Sequence, residues 1–296
     1  MELISEAALH FSRISMFPYF DGAHYLVSVL SAREQAGAVD VASRSPVASW
    51  FSAMLCCFGG GILSSILLAE PPAAVLSNST NIVFATVVWY MVFYFPSDLF
   101  YRCFSFLPLR VIAAAMKEVT RTWKIVAGVT HAHSRFRDAF LVMVANGWAK
   151  AAGGGLISNF EQLVRGIWKP ESNELLKMSY PVKISLVGSI LFTLQHFELL
   201  PVERHQLMLI YTMFLISMKV RMMLTKVSAS PFQPVEQVVG RFLFGLQQTP
   251  KVTKPKVTAN KKEEPKVEEN PSKEEAEACR SESSESTRKG NTKKNE

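Results

Sequence analysis

Apolar residues in this chain come in long blocks rather than at the alternating spacing of strands or the narrow stripes of soluble helices. From Val47 to Ala69 no charge interrupts 23 residues. At about 1.5 Å rise each, that block is longer than the roughly 30 Å hydrocarbon core of a bilayer, which predicts a transmembrane helix. Five further blocks follow the same logic: Met16 to Ala32, Ile82 to Phe100, Ala139 to Ser158, Val182 to Leu200 and Gln206 to Thr225. They carry scattered ionisable residues, among them Asp21, Asp98, Lys150, His196 and Lys219. At membrane depth such groups face a protein interior, a watery cavity or the interface. Lys150, Asp98 and Asp21 are therefore pore or gating candidates, with Lys150 expected to gate or to pair with Asp98 or Asp21.

A seventh segment, Phe106 to Ala127, is too polar for hydropathy to decide. Its Arg110, Lys117, Arg121 and Lys124 are separated by 7, 4 and 3 positions. At about 100° per residue these steps place all four within about 60° of one another on one helix face. The stripe fits either a surface amphipathic helix or a helix lining an aqueous or lipid-headgroup cavity.

An internal repeat bears on that choice. Gly59-Gly60-Gly61-Ile62-Leu63-Ser64 recurs as Gly153-Gly154-Gly155-Leu156-Ile157-Ser158, 94 residues later. With the segment at 106–127 counted as a span, the offset equals three helices, and three crossings invert one copy relative to the other. The predicted fold is thus an all-α integral membrane protein of seven transmembrane helices. It comprises an inverted 3+3 repeat plus a seventh helix, with repeat one over about 10–102, repeat two over about 105–200 and the seventh helix over about 205–226. Three consecutive glycines cost about 1 kcal/mol each in a helix relative to alanine, so both triplets are expected to break or hinge the second and fifth helices beside a pore. Close packing of neighbouring helices is the competing reading.

Charge then orients the bundle. Basic residues near the span ends, including Arg33, Arg44, Arg102, Arg165, Lys177 and Arg221, gather on one side. Fewer, Arg13, Arg135, Arg137 and Arg204, lie on the other. The positive-inside rule puts the N-terminus in the lumen and the C-terminus in the cytosol. Asn78-Ser79-Thr80 would face the lumen. Glu2, Glu6 and Arg13 argue against a cleavable signal peptide. Cys56, Cys57, Cys103 and Cys279 show neither disulfide nor metal-ligand spacing.

The channel region is expected over 1–245, followed by a disordered cytosolic tail over 246–296. From Thr249 onward 12 basic and 10 acidic residues leave too little apolar material for a core. The formal net charge of +7 belongs to loops and tail and gives no reason to expect nucleic-acid binding. The closing Lys293-Lys294-Asn295-Glu296 matches a dilysine retrieval pattern.

The paired glycine triplets, Phe20-Asp21-Gly22 at the opening of the first span, and Lys117-Glu118-Val119 with Arg121 on the fourth together resemble the trimeric intracellular cation channels over about residues 1–245. The Lys/Glu tail is most like that of the type A member. The resemblance implies a homotrimer in sarcoplasmic and endoplasmic reticulum membranes, each protomer with its own potassium pore, coupled functionally to calcium-release channels as a source of counter-ion current. It implies further that Lys117 and Arg121 bind the headgroup of phosphatidylinositol bisphosphate, a bound lipid rather than a cofactor. A secondary transporter is the alternative that inverted repeats with broken helices leave open. An enzyme is not expected: His131, His133 and His196 have no carboxylate or cysteine at ligand or triad spacing.

Overall fold

The computed structural model describes residues 2–167, 169, 171 and 173–225, with side chains from residue 5 onward. The tail expected over 246–296 lies outside the described residues. All the regular elements among them are helical: α1 (Glu2–Ser12), α2 (Tyr19–Arg33), α3 (Ala38–Arg44), α4 (Pro46–Leu67), α5 (Ser79–Tyr94), α6 (Leu99–Ser105), α7 (Leu107–Arg135), α8 (Phe140–Leu156), α9 (Ser158–Val164), α10 (Tyr180–His196) and α11 (Arg204–Thr225).

Local sequence explains the boundaries. Ser45 caps α4, its hydroxyl accepting from the Ala48 N–H, and Pro46 fills the first turn, where no N–H is needed. Asn78 caps α5 in the same way. Leu107-Pro108 opens α7, again with a proline in the first turn. The block expected to span continuously from Ile82 to Phe100 does not: α5 stops at Tyr94, Pro96 prevents continuation, and α6 leaves at 90°. Ser97 and Asp98, both at positive φ, make that corner.

Among the described residues three helices are long and apolar enough to cross a bilayer, Pro46–Leu67, Phe140–Val164 (α8 with α9) and Arg204–Thr225; the bent α5–α6 pair makes a fourth candidate. The remaining expected spans fall short for different reasons. At 15 and 17 residues, α2 and α10 reach only about 22–26 Å. α7, with 29 residues, has the length but carries the basic stripe.

α7 lies at the centre, packed against α2, α8, α10 and α11, while α4 packs most extensively on α8. The interior forms two apolar clusters. One joins Tyr25, Val29, Met54, Phe58, Trp89 and Val92 from α2, α4 and α5; the other joins Ile125, Met143, Ile184, Phe192, Tyr211 and Leu215 from α7, α8, α10 and α11. Small hydroxyl residues stitch the helices. Thr212 donates to Thr122 at 2.9 Å, the Trp89 indole donates to Ser49 at 3.2 Å, and the Tyr211 hydroxyl donates to the Ile184 carbonyl at 2.7 Å. Such polar contacts suit helices that share no hydrophobic drive once both faces lie in lipid.

The glycine triplets behave otherwise than the helix-cost argument predicts. α4 runs unbroken through Gly59–Gly61, and α8 through Gly153–Gly155 to end only at Leu156. The expected glycine-broken second and fifth helices are therefore corrected. The triplets lie against each other: a β-carbon on Gly153 would collide with the Gly60 backbone, one on Gly60 with the Lys150 carbonyl, and one on Gly154 would sit 2.8 Å from the Cys56 carbonyl. Backbone contact at the crossing offsets the cost in helix propensity. The last two contacts interchange under the 94-residue offset, Gly60 matching Gly154 and Lys150 matching Cys56.

Candidate functional site

A cavity of about 380 Å3 with many charged groups on its wall opens between α2, α4, α7, α8, α10 and α11, and that wall gathers most of the residues singled out by sequence. Lys117, Arg121, Lys150, Gly60, Gly154 and Gly155 all line it, together with Lys124 and Lys219. The basic stripe of α7 thus faces inward. Arg110 is the exception: at the end of the stripe it forms a half-exposed ion pair with Glu34 at 2.7 Å.

Each cation on α7 is held differently. Lys117 Nζ donates to Ser28 Oγ at 3.1 Å, and Lys124 Nζ stands 2.7 Å from His24 Nε2, both partners being on α2. Arg121 is committed to protein. Its Nε and Nη2 donate to Glu118 at 2.6 and 3.2 Å, and Nη1 donates to Ser185 Oγ at 3.0 Å and to the Pro181 carbonyl at 3.3 Å. The Arg121 and Glu118 side chains are only 7% and 3% exposed, so their ion pair is an internal one. Glu174, the other acidic residue on the wall, is tied to the Ser179 N–H at the start of α10. Among the described residues lining the cavity, five cations therefore stand against two occupied carboxylates, and the local field is positive.

The three gating candidates separate. Lys150 lies on the cavity wall with Glu70 as its acidic neighbour. Asp21 interacts with Lys124 instead. Asp98 is remote, at the α5–α6 corner, in a 2.8 Å ion pair with Arg33. The expected pairing of Lys150 with Asp98 or Asp21 is thus corrected: the Pro96 corner carries Asp98 away to Arg33, and Asp21 has Lys124 as its basic neighbour.

Two features escape sequence reading. His24 sits three residues after Asp21 and four before Ser28 on α2, a helical spacing of polar residues in an apolar block that marks the cavity face. The second is a buried pair at the C-terminal end of α9, Glu161 with the capping Arg165 at 2.6 Å. Ser52 of α4 donates to Glu161, and Arg165 reaches Gln35 and the Ala36 carbonyl. This network pins α9 to α4 and to the end of α2, just beyond the second glycine triplet.

Comparison with known proteins gives the arrangement its relatives. The family model described as TRIC channel matches residues 35–226. Trimeric intracellular cation channel type B-A of Xenopus laevis is 66% identical over 250 residues, covering 84% of this chain and 88% of that one. The human type B channel is 50% identical over 243 residues, covering 82% and 84%. These relatives are type B by name, so the likeness to the type A member drawn from the tail is not upheld. A solved structure described as "Structural basis for activity of TRIC counter-ion channels in calcium release" superposes with a TM-score of 0.74 at 72% identity, covering 75% of this chain and all of that one. A Caenorhabditis elegans trimeric intracellular cation channel solved without Ca2+ gives 0.68 at 34% identity, covering 78% and 98%. With the family model spanning most of the helical region and relatives matched over more than four-fifths of both chains, this membrane-embedded helical chain belongs to the TRIC channel family.

Proposed function

We propose that the chain is a potassium-permeable channel of the sarcoplasmic and endoplasmic reticulum membrane that supplies counter-ion current during calcium release. It works as a homotrimer with one pore per protomer, and functional coupling to calcium-release channels follows from that role. The observation that carries this reading is the partly open, charge-lined cavity between α2, α4, α7, α8, α10 and α11. A water-accessible path within the bundle is what a channel requires, and ionisable side chains at membrane depth are otherwise costly. The names of the relatives, intracellular cation channels, and the counter-ion description of the 72% identical structure support the same reading. They give the transporter alternative no support.

The bundle spans the membrane seven times in this proposal, as an inverted 3+3 repeat plus α11, with a lumenal N-terminus and a cytosolic C-terminus. The interchange of contacts across the triplets and the two apolar clusters support the repeat. The triplets flank the path and set its width by backbone packing rather than by a hinge.

A cavity walled by five cations repels a potassium ion. The conducting state therefore needs an anion, and a phosphoinositide headgroup at Lys117 and Arg121 supplies it. Lys117 spends one of its three N–H donors on Ser28, leaving donors for a phosphate, whereas Arg121 shapes the site through Glu118. Planar-bilayer recording of the purified protein in symmetric potassium tests the proposal. Discrete cation-selective openings that depend on phosphatidylinositol bisphosphate, with the dependence lost in Lys117→Ala, are expected. Silence in bilayers together with saturable coupled uptake in liposomes would overturn it.

A further inference from the structure

His24 stands half-buried between α7 and α4, and one atom of its ring is addressed from both sides. Nε2 lies 2.7 Å from Lys124 Nζ and 3.1 Å from the Cys57 carbonyl oxygen. These neighbours require opposite things of it. An ammonium only donates, so facing Lys124 the nitrogen must be bare, with the ring proton on Nδ1. A carbonyl only accepts, so facing Cys57 the nitrogen must carry the hydrogen. A neutral imidazole satisfies one partner at a time. An imidazolium would serve Cys57 but place a further charge beside Lys124, Lys117 and Arg121.

We propose that His24 is a positioning residue that alternates between the Lys124 ammonium and the Cys57 carbonyl, fixing the cavity cation in one tautomer and releasing it in the other. The inference rests on reading the cavity as the conduction path. The exchange is charge-neutral: one proton leaves Nδ1 and one arrives at Nε2, carried by water, while Lys124 keeps its ammonium. The released ammonium has Asp21 to move toward, three residues before His24 on α2 and already interacting with Lys124. At the other partner, Cys57 lies on α4 one turn before Gly60 and Gly61, so the tautomer that engages its carbonyl also bears on the α4 side of the triplet crossing. In the structure the Lys124 nitrogen lies within hydrogen-bond distance of His24 inside the positive cavity.

Two variants split the proposal cleanly. In His24→Gln the carboxamide accepts from Lys124 and donates to Cys57 at once, holding the ammonium without alternation; His24→Leu serves neither. In lipid-supplemented single-channel recordings, mean shut time should lengthen about fivefold in the first and shorten about fivefold in the second, a factor one net hydrogen bond supports. A purely structural histidine would give shifts of the same sign, or none, and either result overturns the proposal. Nitrogen-15 spectra of histidine-labelled protein in nanodiscs supply a readout free of current. The chain has six histidines, and the resonances lost in His24→Gln identify this one. Both tautomers should appear in the wild-type protein, collapsing to the Nε2–H form in Lys124→Gln; a single tautomer indifferent to Lys124 overturns the proposal. If Lys124→Gln alters neither unitary conductance nor dwell times, the conduction-path reading fails, while the spectra still decide the tautomer exchange.

Discussion

Gly60 of α4 lies directly against the backbone carbonyl of Lys150 on α8, so close that no β-carbon fits between them. The crossing of the two helices is set by this contact and by Gly153 on the Gly60 backbone.

A helix ordinarily gains up to about 1 kcal/mol when glycine becomes alanine. Gly60→Ala and Gly153→Ala should instead lose about 1–3 kcal/mol, because the methyl group forces the backbones apart. Thermal unfolding followed by size-exclusion chromatography in detergent measures this. Gly61→Ala should lose less, since its β-carbon meets the Val75 side chain, which can yield, rather than backbone. Stabilisation by alanine at Gly60 would count for the hinge and against packing.

Glu118 and Arg121 form a buried pair whose members protect each other. Removing one partner leaves a charge without its counterpart, so Glu118→Gln should destabilise the protein by about 3–5 kcal/mol, and the double variant with Arg121→Gln by less than the sum of the single changes. A double-mutant cycle on the unfolding midpoint reads the coupling. Loss of phosphoinositide binding in an Arg121 variant has to be judged against this loss of stability, whereas Lys117→Ala carries no such burden.

The ion pair at the α5–α6 corner is lopsided. Arg33 is 9% exposed, donates to the Val92 carbonyl and lies 4.3 Å from the Tyr101 ring centroid, whereas Asp98 is 50% exposed. Asp98→Asn should therefore cost less than about 1 kcal/mol. Arg33→Gln, which also forfeits the carbonyl and ring contacts, should cost about 2–3 kcal/mol. Comparing the two unfolding midpoints tests the asymmetry.

Lys150 contributes positive charge to the cavity wall without a direct ion pair among the described residues. Lys150→Gln should raise unitary potassium conductance by about twofold at low salt, with the difference shrinking as ionic strength rises. An unchanged conductance at every salt concentration would remove Lys150 from the path.

What can be read from the chain depends on how local each signal is. The charge-free block at Val47–Ala69 becomes α4 with its Ser45 cap and Pro46 start, because length and capping are decided within the segment. The basic stripe on α7 is legible from spacing alone, though its facing the cavity and the pairing of its members are not. The corner at Pro96 is signalled by the proline but hidden by the surrounding hydropathy, and a straight span misplaces Asp98. The triplets mislead for a different reason: helix propensity describes an isolated helix, while the compensating contact lies 94 residues away. His24 passes unnoticed because its significance depends on Lys124 and Cys57, neither adjacent in sequence.

The interchange of contacts at the triplet crossing has a consequence for how the sequence can drift. Because Gly60 meets Lys150 as Gly154 meets Cys56, the two halves of the chain act at this point like a duplicated gene product bound to its own copy. A bulky replacement in one half cannot be relieved by trimming the facing residue, since what it strikes is main chain. Descendants of such a duplication are held to glycine at the positions of Gly60 and Gly154 in both copies, and these two are therefore expected to persist together or be lost together.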